Sequence, residues 1–228
     1  MAAIREVPHM FAEPTNFSDQ IKITDIDGIP GTYNVLATGV WQDTTNSKYV
    51  FFVMQIKDQG DSYEIKYAFS MQGSYAISSM PDPKLHYTGT KYLLHFKDPA
   101  DAKKVFMFQQ DETATSITSA TMLLVDLPST YTDEDYQIGF VDGTAGIISR
   151  KENNWWVSAL NTADGSTRWV KTQSGITFCS AIRGFDNYFV IISLDKSDNY
   201  HEITYIDAST GTVNFSFKFE SSYTSSSS

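Results

Sequence analysis

A single cysteine, Cys179, leaves this 228-residue chain unable to close a disulfide within itself, which favours a reducing compartment. It lies in the strand-like run Ile-Thr-Phe-Cys-Ser-Ala-Ile at 176–182, where a thiol reads as a small buried hydrophobe rather than a nucleophile. Basic runs are also missing: 17 Lys and Arg stand against 27 Asp and Glu, for a formal charge of −10. A nucleic-acid partner or an anionic membrane surface selects clustered positive charge, so both are argued against, and the acidity reads as solubility. No stretch approaches the roughly 18 apolar residues of a membrane span. The opening Met-Ala-Ala-Ile-Arg-Glu-Val-Pro-His lacks the apolar core of a signal peptide. A cytoplasmic or organellar residence is expected; the Asn-Phe-Ser sequons at Asn16 and Asn214 supply the alternative, a secreted protein.

Catalytic motifs are equally scarce. There is no Gly-x-Ser-x-Gly elbow to lift a serine above a sheet, and no glycine-rich loop to cradle a phosphate. His9, His86, His95 and His201 have no metal-ligand spacing with one another or with Cys179. Asp25-Ile-Asp27-Gly28 starts like a Ca²⁺ loop, but Ile29 and Leu36 stand where further oxygen ligands are needed, so a turn cap is the reading. The run from Asp195 to Asn199 also lacks a closing acid. Asp133, Glu134 and Asp135 sit in a polar loop and read as solvated charge. No catalytic, metal or cofactor residue is assigned.

What the chain does hold is strand chemistry. Fifteen Phe, 13 Tyr and four Trp make it 14% aromatic, within a hydrophobic share of 41%, enough for a packed core. Apolar runs bounded by polar turns predict strands at 21–27, 32–41, 48–57, 63–70, 90–97, 103–109, 121–127, 137–141, 145–149, 155–161, 166–171, 176–183, 187–195, 200–207 and 212–219. Pro81-Asp-Pro83-Lys84 reads as a break. No amphipathic helix is expected. Residues 1–20 read as an N-terminal arm, 21–219 as one repeated β domain, and 220–228 as a Ser-rich flexible tail.

The strands repeat. Ile23-Thr-Asp-Ile-Asp-Gly-Ile-Pro-Gly-Thr-Tyr-Asn-Val35 and Ile203-Thr-Tyr-Ile-Asp-Ala-Ser-Thr-Gly-Thr-Val-Asn-Phe215 agree at seven of 13 positions. A third copy, Val157 to Trp169, keeps the residue type at nearly every position. The anchors Ile23, Ile65, Val105, Val157 and Ile203 recur at roughly 45-residue spacing, the signature of a repeat architecture. Asp27, Gly31, Gly165, Asp207 and Gly211 are the predicted turn residues, with Asp207 as a cap and Gly165 and Gly211 at positive φ. Trp169 and Phe215 are expected to be buried in equivalent places.

The segments Leu160-Asn-Thr-Ala-Asp-Gly-Ser-Thr-Arg-Trp169 and Ile206-Asp-Ala-Ser-Thr-Gly-Thr-Val-Asn-Phe215 resemble the Ala-Leu-Asp-x-x-Thr-Gly-x-x-x-Trp signature of quinoprotein-like β-propellers. The resemblance implies a small or partial propeller of about five four-stranded repeats; a β-sandwich or β-barrel is the alternative. It does not bring the quinone along, because the adjacent cysteines of the cofactor-binding members are missing. The function expected is a non-catalytic protein-interaction or scaffold module, a subunit of a larger assembly with protein partners and scope for homo- or hetero-oligomers. A small-ligand or glycan-binding module and a hydrolase with a loop-assembled site are the alternatives. Trp155 and Trp156 are the candidate partner anchors.

Overall fold

The computed structural model describes residues 21–29, 31–43, 48–57, 63–70, 81–98, 101, 103–111, 122–126, 136–141, 143–151, 154–174, 178–195 and 200–220. The expected N-terminal arm at 1–20, the acidic loop and most of the Ser-rich tail lie outside them. The chain divides into two compact units, Met1–Val125 and Asp126–Ser228.

Every described element is a strand. In the first unit, β1 (Ile21–Gly28), β2 (Val35–Asp43), β3 (Lys48–Ile56) and β4 (Tyr63–Ser70) form sheet I. Sheet II holds β5 (Lys84–Tyr87), β6 (Lys91–Lys97), β7 (Lys104–Asp111) and β8 (Met122–Asp126). In the second unit, β9 (Gln137–Val141), β10 (Thr144–Lys151), β11 (Asn154–Asn161) and β12 (Thr167–Ser174) form sheet III. Sheet IV comprises β13 (Phe178–Phe185), β14 (Tyr188–Asp195), β15 (Tyr200–Asp207) and β16 (Val213–Glu220). Each sheet is an antiparallel meander of four strands adjacent in sequence, the blade organisation of a β-propeller. None closes on itself, so the barrel alternative falls.

The alternation of Val, Ile, Phe and Tyr with polar residues explains the strands, and runs apolar at consecutive positions are covered on both faces. Along β6, Tyr92, Leu93, Leu94, His95 and Phe96 are all buried. One core joins sheets I and II, with Leu36, Val40, Phe51 and Val53 against Leu85, Leu94, Phe96 and Phe108. Phe51 stacks on Phe96 at 4.5 Å. Between sheets III and IV, Val141, Ile148, Val157 and Ala159 meet Ile182, Phe189, Ile191 and Ile206.

Three expectations need correction. The break read at Pro81-Asp-Pro83-Lys84 holds for residues 81–83, which lie in no strand and whose prolines are buried, but β5, which was not expected, already starts at Lys84. Proline is tolerated immediately before a strand, where no ladder donor is lost. Glu220 belongs to β16 and not to the tail. The period is also a property of hairpins more than of sheets. Ile203 and Val157 lie on third strands, but Ile23 lies on β1 and Ile65 on β4 of the same sheet. Two of the five anchors thus share sheet I, and the described residues hold four sheets.

Candidate interaction surface

The last two hairpins are copies down to individual hydrogen bonds. Asn161 N donates to Ser166 O and Asp207 N to Thr212 O, both at 2.8 Å. Gly165 N donates to Asn161 O and Gly211 N to Asp207 O, again both at 2.8 Å. The side-chain oxygen of Asn161 accepts from Ala163 N, and Asp207 Oδ1 accepts from Ser209 N and Thr210 N. Gly165 and Gly211 have φ of 75° and 73°, which glycine adopts without Cβ strain. A β-bulge falls at the same place in each, after Ala159 and after Tyr205. The bonds from Ser209, then from Thr210, hold the Asp207 carboxyl below the usual range.

The bulge sets where the repeated aromatic points. In sheet III the cross-strand row runs Gly139, Gly146, Ala159, Trp169. The three small residues leave a trough. A Cβ on Gly146 would lie 2.9 Å from the Phe189 ring, and one on Gly139 would lie 3.0 Å from Ile182, so sheet IV inserts its side chains there. Trp169 closes the row: its Nε1 donates to Ala208 O at 2.9 Å and its ring lies 6.1 Å from Phe189. A Cβ on Gly211 would meet that indole at 2.8 Å.

The equivalent row of sheet IV is Arg183, Val190, Tyr205, Phe215. Phe215 holds the place of Trp169, yet it is 56% exposed while Trp169 is half-buried against the core, which corrects the expectation that both would be buried. Trp169 has sheet IV beside it; among the described residues of the second unit, nothing packs on the far side of sheet IV. Phe217 and Phe219 continue the row along β16, 51% and 36% exposed, and Phe185 lies 60% exposed on β13. The rings contact one another, Tyr205 with Phe215 edge-on at 5.9 Å and Phe217 with Phe219 stacked at 6.0 Å. His201 stacks on Phe219. The polar residues of β16, Ser216 and Lys218, occupy the other side, where Ser216 donates to the Glu202 carboxylate. Phe185, Phe215, Phe217 and Phe219 thus make an exposed apolar face on sheet IV.

The other sequence candidates fall into place around structural duties. Asp25 Oδ1 accepts from Ile26 N and Oδ2 from Leu85 N at 2.9 Å; Asp27 Oδ1 accepts from Gly28 N and Oδ2 from Tyr87 N at 2.8 Å. The two carboxylates therefore tie β1 to β5. Gly31 turns at φ 76° with open space around its Cα. Trp155 and Trp156 have their backbones in β11, between Arg150 and Gln173 and between Ser149 and Thr172. Their side chains, the Cys179 side chain, His9 and Asp133 to Asp135 lie outside the described residues.

One pairing escaped the sequence. His86 on β5 and His95 on β6 bring their Nε2 atoms within 3.1 Å, with rings nearly parallel at 7°. The β5–β6 register, Leu85 opposite Leu94, places them diagonally on one face; reading β5 as a break hid it. Burial, then the neighbouring His86 and Lys84, push the His95 pKa well down. Among the described residues no group of three or more His, Cys, Asp or Glu is placed to hold a metal ion. No helix among them is long and apolar enough to cross a membrane.

No family model matches the chain, and no curated protein matches it. Solved structures do. The Dos1 propeller is 9% identical, with a TM-score of 0.46 over 89% of this chain and 60% of its own. An exo-β-1,3-galactanase from Clostridium thermocellum is 13% identical, with a TM-score of 0.44 over 85% of this chain and 47% of its own. BamB from Moraxella catarrhalis is 10% identical, with a TM-score of 0.33 over 87% of this chain and 77% of its own. The chain thus spans 60% and 47% of the lengths of the first two proteins it resembles, and the likeness extends to repeated β-sheets and no further.

Proposed function

We propose that this protein is a non-catalytic interaction module that works as a subunit of a larger assembly. One observation carries the reading. The face of sheet III that bears Trp169 is covered by another sheet, whereas the matching face of sheet IV bears Phe215, Phe217 and Phe219 in the open. Aromatic side chains on a rigid sheet lose little entropy on contact and are typical hot spots. The described acids support the same reading from the opposite side, since Asp25, Asp27 and Asp207 hold backbone. Trp155 and Trp156 are a second candidate anchor on the same footing as in the sequence.

The test is partner retention measured together with thermal stability. Phe217→Asp is expected to release partners that co-purify with the wild type while leaving the melting temperature within a few degrees. Trp155→Ala and Trp156→Ala belong in the same assay. Partners kept by all three variants overturn the reading, as does turnover of a glycoside by the purified protein.

A further inference from the structure

Sheet II holds a pair of side chains that the interaction reading does not use. His86 on β5 and His95 on β6 meet at 3.1 Å through their Nε2 atoms, while their ring centres stand 5.2 Å apart. The rings therefore approach by their nitrogen edges, and one proton fits between them: one Nε2 donates and the other is bare. His95 is 4% exposed and His86 is only partly covered, so a first added proton is better solvated on His86. Cationic His86 then donates to a bare His95 Nε2, a bond strengthened by the charge, and His95 keeps its own proton on Nδ1. A second added proton has to go to His95. There it loses water, breaks the Nε2 bond and stands beside a charged His86, with Lys84 directly across the ladder. Burial first, then His86 and then Lys84, lower the His95 pKa. Lys97 follows two residues along the same face of β6, and on β7 the residue opposite His95 is the uncharged Met107. The described carboxylates about β5 are engaged elsewhere: Asp82 with Lys84 and Lys22, Asp25 and Asp27 with the backbone N–H of Leu85 and Tyr87.

We propose that the His86–His95 pair is an acid-operated latch on β5: it holds one added proton with the strand closed, and uptake of a second frees β5 from β6. The two protons belong to the pair, which titrates in two steps. The strand is suited to local release. It is four residues long, its ladder runs along β6 alone, and its other edge is held by the Asp25 and Asp27 carboxylates. Opening moves His95 out of its cover and away from Lys84, so the second proton is accepted in the open form and refused in the closed one. Histidine is the side chain whose ordinary pKa puts such a step in mild acid.

The experiment is amide exchange by NMR on the full chain between about pH 7.5 and 5, corrected for intrinsic exchange, with the imidazole nitrogens followed in the same samples. His86 is expected to take the first proton while His95 stays neutral as its Nδ1–H tautomer. Below about pH 6.5, protection of the Leu85 and Tyr87 amides should fall about tenfold per pH unit, because the open strand binds one proton more than the closed one. Amides of β3, in the same unit, should stay better protected. His86→Gln removes the neighbouring charge and should raise the His95 midpoint, which a histidine that is merely buried would not show. His95→Gln should make the β5 protection level with pH. Circular dichroism confirms that each variant folds; should one fail to fold, the other decides. A His95 midpoint indifferent to His86→Gln overturns the latch, as do β5 amides that open only together with β3, or wild-type protection that stays level throughout.

Discussion

Two glycines with the same backbone angle separate conformational strain from crowding. Gly31 and Gly211 have φ of 76° and 73°, but only Gly211 has a ring against it. Gly31→Ala is expected to cost about 1 kcal/mol, the left-handed penalty alone. Gly211→Ala adds overpacking against Trp169, for about 3 kcal/mol in all, read from urea unfolding. The buried His95 gives a pH signature. Its pKa in the folded state lies well below the ordinary 6.5, so below about pH 6.5 the unfolded chain takes a proton that the folded chain refuses. Stability therefore falls as pH drops from about 6.5, with a limiting slope of about 1.4 kcal/mol per pH unit. The carboxyls of Asp207, Asp164 and Asp82 are lowered from 3.8; their contribution is present above that value and is lost only as pH falls through the lowered pKa. The window between about pH 6.5 and 4.5 separates the histidine from these carboxyls. His95→Gln should flatten the decline there, measured by urea unfolding at about pH 7.5 and pH 5.

Between strands, the repeat makes a paired prediction. Trp169→Ala removes an indole that bridges two sheets and is expected to cost about 3 kcal/mol. Phe215→Ala, its copy 46 residues on, should change stability by no more than about 0.5 kcal/mol. Comparable losses for both would mean that sheet IV is covered. Asp25→Ala and Asp27→Ala each strip an acceptor from a β5 backbone N–H, Leu85 or Tyr87, at a cost of about 1–3 kcal/mol; thermal unfolding reads it. Hairpins were legible in the sequence because their grammar is local. Asp207, Gly211 and the residues between them dictate a turn wherever it lies. What lies beyond a hairpin is not local, and so Phe215 looked like Trp169. Its burial depends on a neighbour that the sequence pattern does not name. The bulge after Tyr205 was also hidden: Val213, Phe215, Phe217 and Phe219 alternate as one apolar row, yet Val213 pairs with Ile206 and leaves the row.

For the molecule as a whole, far-UV circular dichroism should show less than about a fifth helix, against roughly a third in an average globular protein. The all-β class followed from strand-forming composition and from turns at short intervals. The number of sheets did not, because the spacing of the anchors mixes hairpins at different places in a sheet. Sheets I to IV begin at residues 21, 84, 137 and 178, so no constant period separates them. The unequal steps arise within the sheets as well as between them: sheet I runs from residue 21 to 70, sheet II from 84 to 126 and sheet III from 137 to 174.

The meander order carries one more consequence, for how the protein is made. Every strand in every sheet pairs only with its neighbours in sequence. Such local pairing favours rapid formation, and a ribosome delivering the chain from its N-terminus releases each sheet complete before the next begins. Sheet I needs nothing after Ser70 to complete its ladder, and sheet II nothing after Asp126. Within each unit the first sheet then serves as the floor on which the second settles. In sheet IV, β16 completes the ladder, and the floor it lays, with Phe215, Phe217 and Phe219 uppermost, stays bare among the described residues of the second unit.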